Sequence, residues 1–162
     1  MAGGERLAWI NDGGPAGDDG PTGFLWLGGF MSDMAGTKAE MLAGLARRAG
    51  RSLVRFDYSG HGRSTGAFTD GTIGKWLDET ETVFRQVAQG RRIIIGSSMG
   101  GWLALLLWRR LRGTAEGERI RGMMLLAPAA DFTERLMHAR FSDAMKRQLE
   151  ETGEVLLPSD YG

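Results

Sequence analysis

Gly96, Ser98 and Gly100 stand in the spacing G-x-S-x-G. Arg91-Arg92-Ile93-Ile94-Ile95 comes directly before them, and Trp102-Leu103-Ala104-Leu105-Leu106-Leu107-Trp108 follows Gly101. Three consecutive β-branched residues read as a buried parallel strand, and the apolar run after the glycines reads as a helix. A strand that turns into a helix within a few residues must bend sharply, and the residue at the bend takes a strained backbone conformation costing about 1–3 kcal/mol. Neighbours without a β-carbon let the two arms pass closely. Ser98 is therefore expected at the apex of the bend, held clear of the sheet. The chemistry this permits is nucleophilic attack by a hydroxyl, which needs a neighbouring base and donors for a developing oxyanion. The backbone N–H of Met99 is one expected donor, because helix N-termini carry free N–H groups and a favourable dipole for negative charge.

The rest of the composition narrows the setting. A chain of 162 residues reads as one domain able to bury about two-thirds of its unfolded surface. Twenty basic and twenty acidic residues cancel and are spread along the chain, so no footprint for nucleic acid or an acidic membrane is seen. Without cysteine there is no thiol nucleophile, disulfide or Cys-based metal site, and with two distant histidines no metal site is expected. Met1-Ala-Gly-Gly-Glu-Arg has no apolar stretch of a signal peptide, and Trp102–Trp108 is too short to span a bilayer. The expectation is a soluble cytoplasmic domain.

Stepping outward from Ser98, Glu5–Ile10 and Phe24–Leu27 read as strands separated by a glycine-rich, proline-rich loop. Thr37–Arg48 reads as a helix with Met41, Leu42, Leu45, Ala46 and Ala49 on its apolar face, ended by Gly50. Ser52–Phe56 reads as a strand entering the polar loop Asp57-Tyr-Ser-Gly-His-Gly-Arg-Ser64. Thr72 caps a helix whose face is Ile73, Trp76, Leu77, Val83, Phe84 and Val87. The helix after Ser98 should end near Gly113, and Ile120–Leu126 is a further strand stopped by Pro128. Strands alternating with helices predict an α/β fold, a mostly parallel sheet with helices on both faces. After Asp131 the pattern becomes amphipathic and charged. The expected division is a core over 1–131 and a helical lid segment over 132–162.

Beyond these patterns, five blocks carry a family resemblance. They are Leu27-Gly-Gly-Phe-Met-Ser-Asp-Met34, Arg55-Phe-Asp-Tyr-Ser-Gly-His-Gly62, Asp70-Gly-Thr-Ile-Gly74 with Trp76-Leu77, Gly96-Ser-Ser-Met-Gly-Gly-Trp102, and Ala127-Pro-Ala129 with Asp131-Phe132. With them the chain resembles the α/β-hydrolase subfamily that holds bacterial hydrolases and a mitochondrial depalmitoylating thioesterase that also cleaves acyl-glucuronides. The resemblance runs from about residue 5 to the end. It implies a serine hydrolase acting on small-molecule esters or thioesters without a cofactor, with Gly96–Gly100 as its nucleophile elbow. The second oxyanion donor is then the N–H of Phe30, in the loop after the earlier strand.

In this fold the acid and the histidine follow the serine in chain order. Only His61 and His138 are present, and neither is expected to act as base. His61 precedes the serine in a glycine-rich loop, and His138 falls on the lid. Asp131 is a weak candidate for the acid, and Asp57 is expected to hydrogen-bond the loop that follows it. The resemblance implies that the acid and histidine belong to two further βα units not present here. Ile120–Leu126 would then be an uncovered edge strand, open to self-association. The alternative to catalysis is a truncated or degenerate hydrolase that only binds, or that a partner completes. A dinucleotide site at Gly60–Gly66 fails on glycine spacing and on the missing acidic residue, and no G-K-[ST] supports a P-loop.

Overall fold

The computed structural model describes residues 4–14 and 20–156. Its strands are β1 (Trp9–Asp12), β2 (Gly23–Leu27), β3 (Leu53–Phe56), β4 (Arg92–Ser97) and β5 (Ile120–Leu126), and they form one sheet in the order β1-β3-β2-β4-β5. Pairing is parallel from β3 through β5, and β1 joins the outer side of β3 antiparallel. The helices are α1 (Thr37–Arg48), α2 (Ile73–Gln86), α3 (Met99–Leu111), the short α4 (Ala115–Glu118) and α5 (Asp143–Thr152). No helix among the described residues is long and apolar enough to cross a membrane.

The two faces of the sheet follow from the two-residue period of each strand. Leu25, Leu27, Val54 and Ile94 point into one cluster with Phe84 of α2 and with Leu103 and Leu107 of α3. Trp26, Leu53 and Ile95 point the other way, onto Ala39, Ala43 and Ala46 of α1. Because helices cover both faces, the central strands read as unbroken apolar runs rather than alternating ones.

Three expectations need adjusting. The first strand begins at Trp9 rather than Glu5, because the residues before it pair with a loop. Thr65 donates its N–H to Arg6 O, and Ala8 N–H donates to Ser64 Oγ. The face of α1 expected from Met41 and Leu45 is outward, with the two residues 60% and 47% exposed. The small residues Ala39, Ala43 and Ala46 make the seam instead, at spacings that also fit one helical face. Third, the region after Asp131 is helical but irregular: a π-helical turn over Thr133–Met137, a 3₁₀ turn over His138–Arg140, and then α5, none with a buried residue. β5 is the last strand in the order, with Met124 and Leu126 partly exposed.

One buried ionic cluster ties β1 to the sheet. Arg55 of β3 is 4% exposed; its Nε donates to Asp12 Oδ2 at 2.6 Å, and its Nη1 donates to Glu40 Oε1 and to Met34 O. Burial pulls the Arg55 guanidinium toward deprotonation, but Asp12 and then Glu40 outweigh it and hold the group above its usual value. Removing one partner of such a group leaves a buried charge poorly compensated. Asp12→Ala is therefore expected to lower stability by about 3 kcal/mol, the low end for a broken buried pair because Glu40 and the Met34 carbonyl remain. Urea unfolding followed by tryptophan fluorescence reads this, and an unchanged midpoint would contradict it.

Candidate active site

Ser98 sits where β4 ends and α3 begins, with φ 52° and ψ −119°, a conformation that non-glycine residues rarely adopt. Its backbone is pinned from both sides. Ser98 N–H donates to Leu126 O at 3.0 Å, and Ala129 N–H donates to Ser98 O at 3.1 Å. The residue is half-buried, between the fully covered Met99 and the nearly covered Ser97. The bend depends on two close approaches. A β-carbon at Gly96 would fall on the Gly100 carbonyl, and one at Gly100 would fall on the Leu27 and Gly28 carbonyls. All of these are backbone atoms, so no rotamer change could make room.

The loop after β2 reaches the serine. A β-carbon built at Gly29 would lie 3.4 Å from Ser98 Cβ, so the turn carrying Phe30 lies beside the apex. Among the described residues, neither the Phe30 nor the Met99 amide donates to a protein acceptor. The turn carrying Phe30, 68 positions before Ser98, is thus brought beside Ser98 and its neighbour Met99.

Sequence reasoning did not foresee how that loop is held. Residues after β3 support it at three points. Asp57, 1% exposed, accepts from Met34 N–H at 2.6 Å through Oδ1, and through Oδ2 from Arg63 N–H at 2.8 Å. Tyr58 Oη donates to Gly28 O, and Met31 N–H donates to His61 Nε2 at 3.3 Å. Burial raises the Tyr58 hydroxyl well above its ordinary value, against a smaller lowering by Thr80 and with a further push from Glu79, so it stays a neutral donor. The visible signal was the string Asp57-Tyr-Ser-Gly-His-Gly-Arg-Ser64, whose first residue does bond the following loop as expected; nothing in it named the partner loop.

The remaining candidates are placed apart. His61 Nδ1 lies 3.1 Å from Ser59 O while Nε2 accepts from Met31, so both ring nitrogens are engaged. His138 lies 3.7 Å from Glu134 on the exposed turn after β5, and Asp131, with φ 56°, faces Arg135 at 3.9 Å. Phe132 packs its ring on Phe30 at 5.7 Å and on Trp102 at 5.8 Å, so the segment after Asp131 begins against the serine's surroundings. A cleft of about 340 Å³, lined by Trp26, Gly29, Met31, Ser32, Thr37 and Ser97, opens on the α1 side of the loop.

Residues 29–158 match the family described as serine aminopeptidase, S33. The chain belongs to the serine aminopeptidase S33 family. The mitochondrial palmitoyl-protein thioesterase ABHD10 of Mus musculus is 35% identical over 139 residues, which is 86% of this chain and 45% of the relative. The Homo sapiens protein of that name is 33% identical over 142 residues, 86% of this chain and 44% of the relative. The chain therefore spans a little under half the length of the curated relatives it matches. Among solved structures, a putative hydrolase from Agrobacterium vitis S4 superposes with a TM-score of 0.85 at 42% identity, over 98% of this chain and 60% of that one. Mouse alpha/beta hydrolase domain-containing protein 10 gives 0.83 at 31% identity, over 99% and 60%. The expected α/β-hydrolase fold and subfamily resemblance hold. The cytoplasmic expectation does not: the curated relatives are all named as mitochondrial, and the lack of an apolar stretch at Met1 is no ground for a compartment.

Proposed function

We propose that this chain is the nucleophile-bearing part of a serine hydrolase that cleaves carboxylic esters or thioesters through an acyl-enzyme on Ser98. Ser98 Oγ attacks the acyl carbonyl carbon as its proton passes to a base. The carbonyl oxygen takes the negative charge between the Phe30 and Met99 N–H groups, and collapse of the adduct expels the alcohol or thiol, which takes up the proton the base had removed. Water then repeats the sequence to free the acid. Neither His61, with both nitrogens engaged, nor His138, paired with Glu134, is assigned the role of base. Residues 132–162, of which 157–162 lie outside the described residues, are read as a lid segment on a core over 1–131. The apolar rings of Phe30, Trp102 and Phe132 support an apolar acyl group, and the thioesterase relatives support a thioester among the substrates.

The strained, half-exposed Ser98, beside the turn that carries Phe30 and directly before Met99, carries this reading. The test is treatment of the folded chain with an alkyl fluorophosphonate, followed by peptide mass mapping. Slow covalent labelling confined to Ser98 is expected, because the amides can stabilise the adduct while no histidine of the chain is assigned as its base. A folded sample that stays unlabelled would favour the non-catalytic reading, a binding module completed by a partner.

A further inference from the structure

His61 is buried to 5% exposure and takes no part in the chemistry proposed above, yet both of its ring nitrogens have work. Nδ1 is 3.1 Å from Ser59 O; a carbonyl only accepts, so Nδ1 carries the hydrogen. That leaves Nε2 as a lone pair, and it accepts the Met31 N–H at 3.3 Å. The ring cannot rotate away, because Tyr58, Phe68 and Trp76 pack around it with centroids 5.1–5.6 Å distant. Trp76 Nε1 also donates to Ser59 O, which fixes the acceptor that sets the tautomer.

Met31 is the residue immediately after Phe30, and it holds φ 56°, a left-handed conformation that a side chain of this kind rarely takes unaided. Of the three points at which residues after β3 hold this loop, the hydrogen bond to the imidazole is the one that acts on the peptide plane directly after Phe30. Releasing that plane would free ψ of Phe30, and with it the setting of the adjoining peptide that carries the Phe30 N–H. We propose that His61, as the neutral Nδ1–H tautomer, is a positioning residue for the oxyanion loop: it fixes Met31 N–H so that Phe30 N–H faces Ser98. This rests on the catalytic reading of Ser98. It differs from the triad role in that His61 never touches the reacting atoms and supplies an acceptor rather than a base.

Two substitutions separate this role from simple packing. His61→Leu keeps apolar bulk but removes the acceptor, whereas His61→Gln places a carbonyl oxygen near the position of Nε2. Two readouts are taken on the full chain: hydrogen exchange over residues 28–34, and the rate of Ser98 labelling by the fluorophosphonate. His61→Leu is expected to lose protection at Met31 and to label about 10- to 100-fold more slowly, short of the hundred- to thousand-fold effect of losing an oxyanion donor outright. His61→Gln should restore most of both. Wild-type protection and labelling in His61→Leu would overturn the proposal. So would equal losses in both variants accompanied by loss of protection throughout the sheet, which marks a packing role. If the parent chain does not label at all, the reading of Ser98 falls, and the exchange measurement still decides whether His61 holds the loop.

Discussion

Ser98→Gly is expected to unfold at a higher temperature than the parent chain while losing all fluorophosphonate labelling. The two effects share one cause. At φ 52° and ψ −119° a residue with a β-carbon bears a strain of about 1–3 kcal/mol, which glycine does not. Part of that gain is offset because glycine leaves the unfolded chain more freedom, by about 0.5–1 kcal/mol. A net increase of about 1 kcal/mol remains, which for a domain of this size moves the midpoint by about 2–4 °C. Differential scanning calorimetry reads the first effect and mass mapping the second. A destabilised variant would mean the apex is not strained, and a variant that still labels would move the nucleophile elsewhere.

Gly100→Ala is expected to have the opposite and larger consequence, loss of the native fold. The added methyl would meet the Leu27 and Gly28 carbonyls, the end of β2 and the start of the loop that carries Phe30. Neither can shift without breaking the parallel ladder, in which Leu27 pairs with Gly96, or displacing the loop that carries Phe30. An overpacked side chain usually finds relief in neighbouring rotamers, and here none is available. The penalty should exceed about 4 kcal/mol, in the range reserved for severe core disruption. Circular dichroism and urea midpoints test this. A cooperative Gly100→Ala variant close to parental stability would show that the elbow is looser than described. Gly74, where an added β-carbon would sit 3.8 Å from Thr72 Oγ1, supplies the control: Gly74→Ala lies in the first turn of α2 with room to spare and should fold normally.

These two positions explain why the strand, bend and helix around Ser98 were legible in advance. Three isoleucines followed by G-x-S-x-G and an apolar run constrain a strand, a bend and a helix through local sterics alone, because every glycine needed is within three residues of Ser98. The same locality fixed α1 at Thr37–Arg48 and β5 at Ile120–Leu126, whose bounds agree with the pattern. Locality fails where side chains compete for a face. In α1 the heavier Met41 and Leu45 were expected inward, yet the sheet takes the alanine stripe, because small residues allow the helix to approach closely. Likewise β1 starts late, because the preceding residues find their hydrogen bonds in the 57–66 loop, a partner some fifty positions away.

What residue order determined by itself was the α/β class and the sharp strand-to-helix bend at Ser98, since short-range backbone geometry and two-residue or 3.6-residue apolar periods suffice for those. Tertiary structure alone decided that Asp57, Tyr58 and His61 brace the Phe30 loop, that Arg55 reaches Asp12, Glu40 and Met34 together, and that Phe132 closes against Phe30 and Trp102. Each of those contacts joins groups distant in the chain, and their partners are set only once parallel pairing of β2, β3 and β4 brings the strand ends side by side.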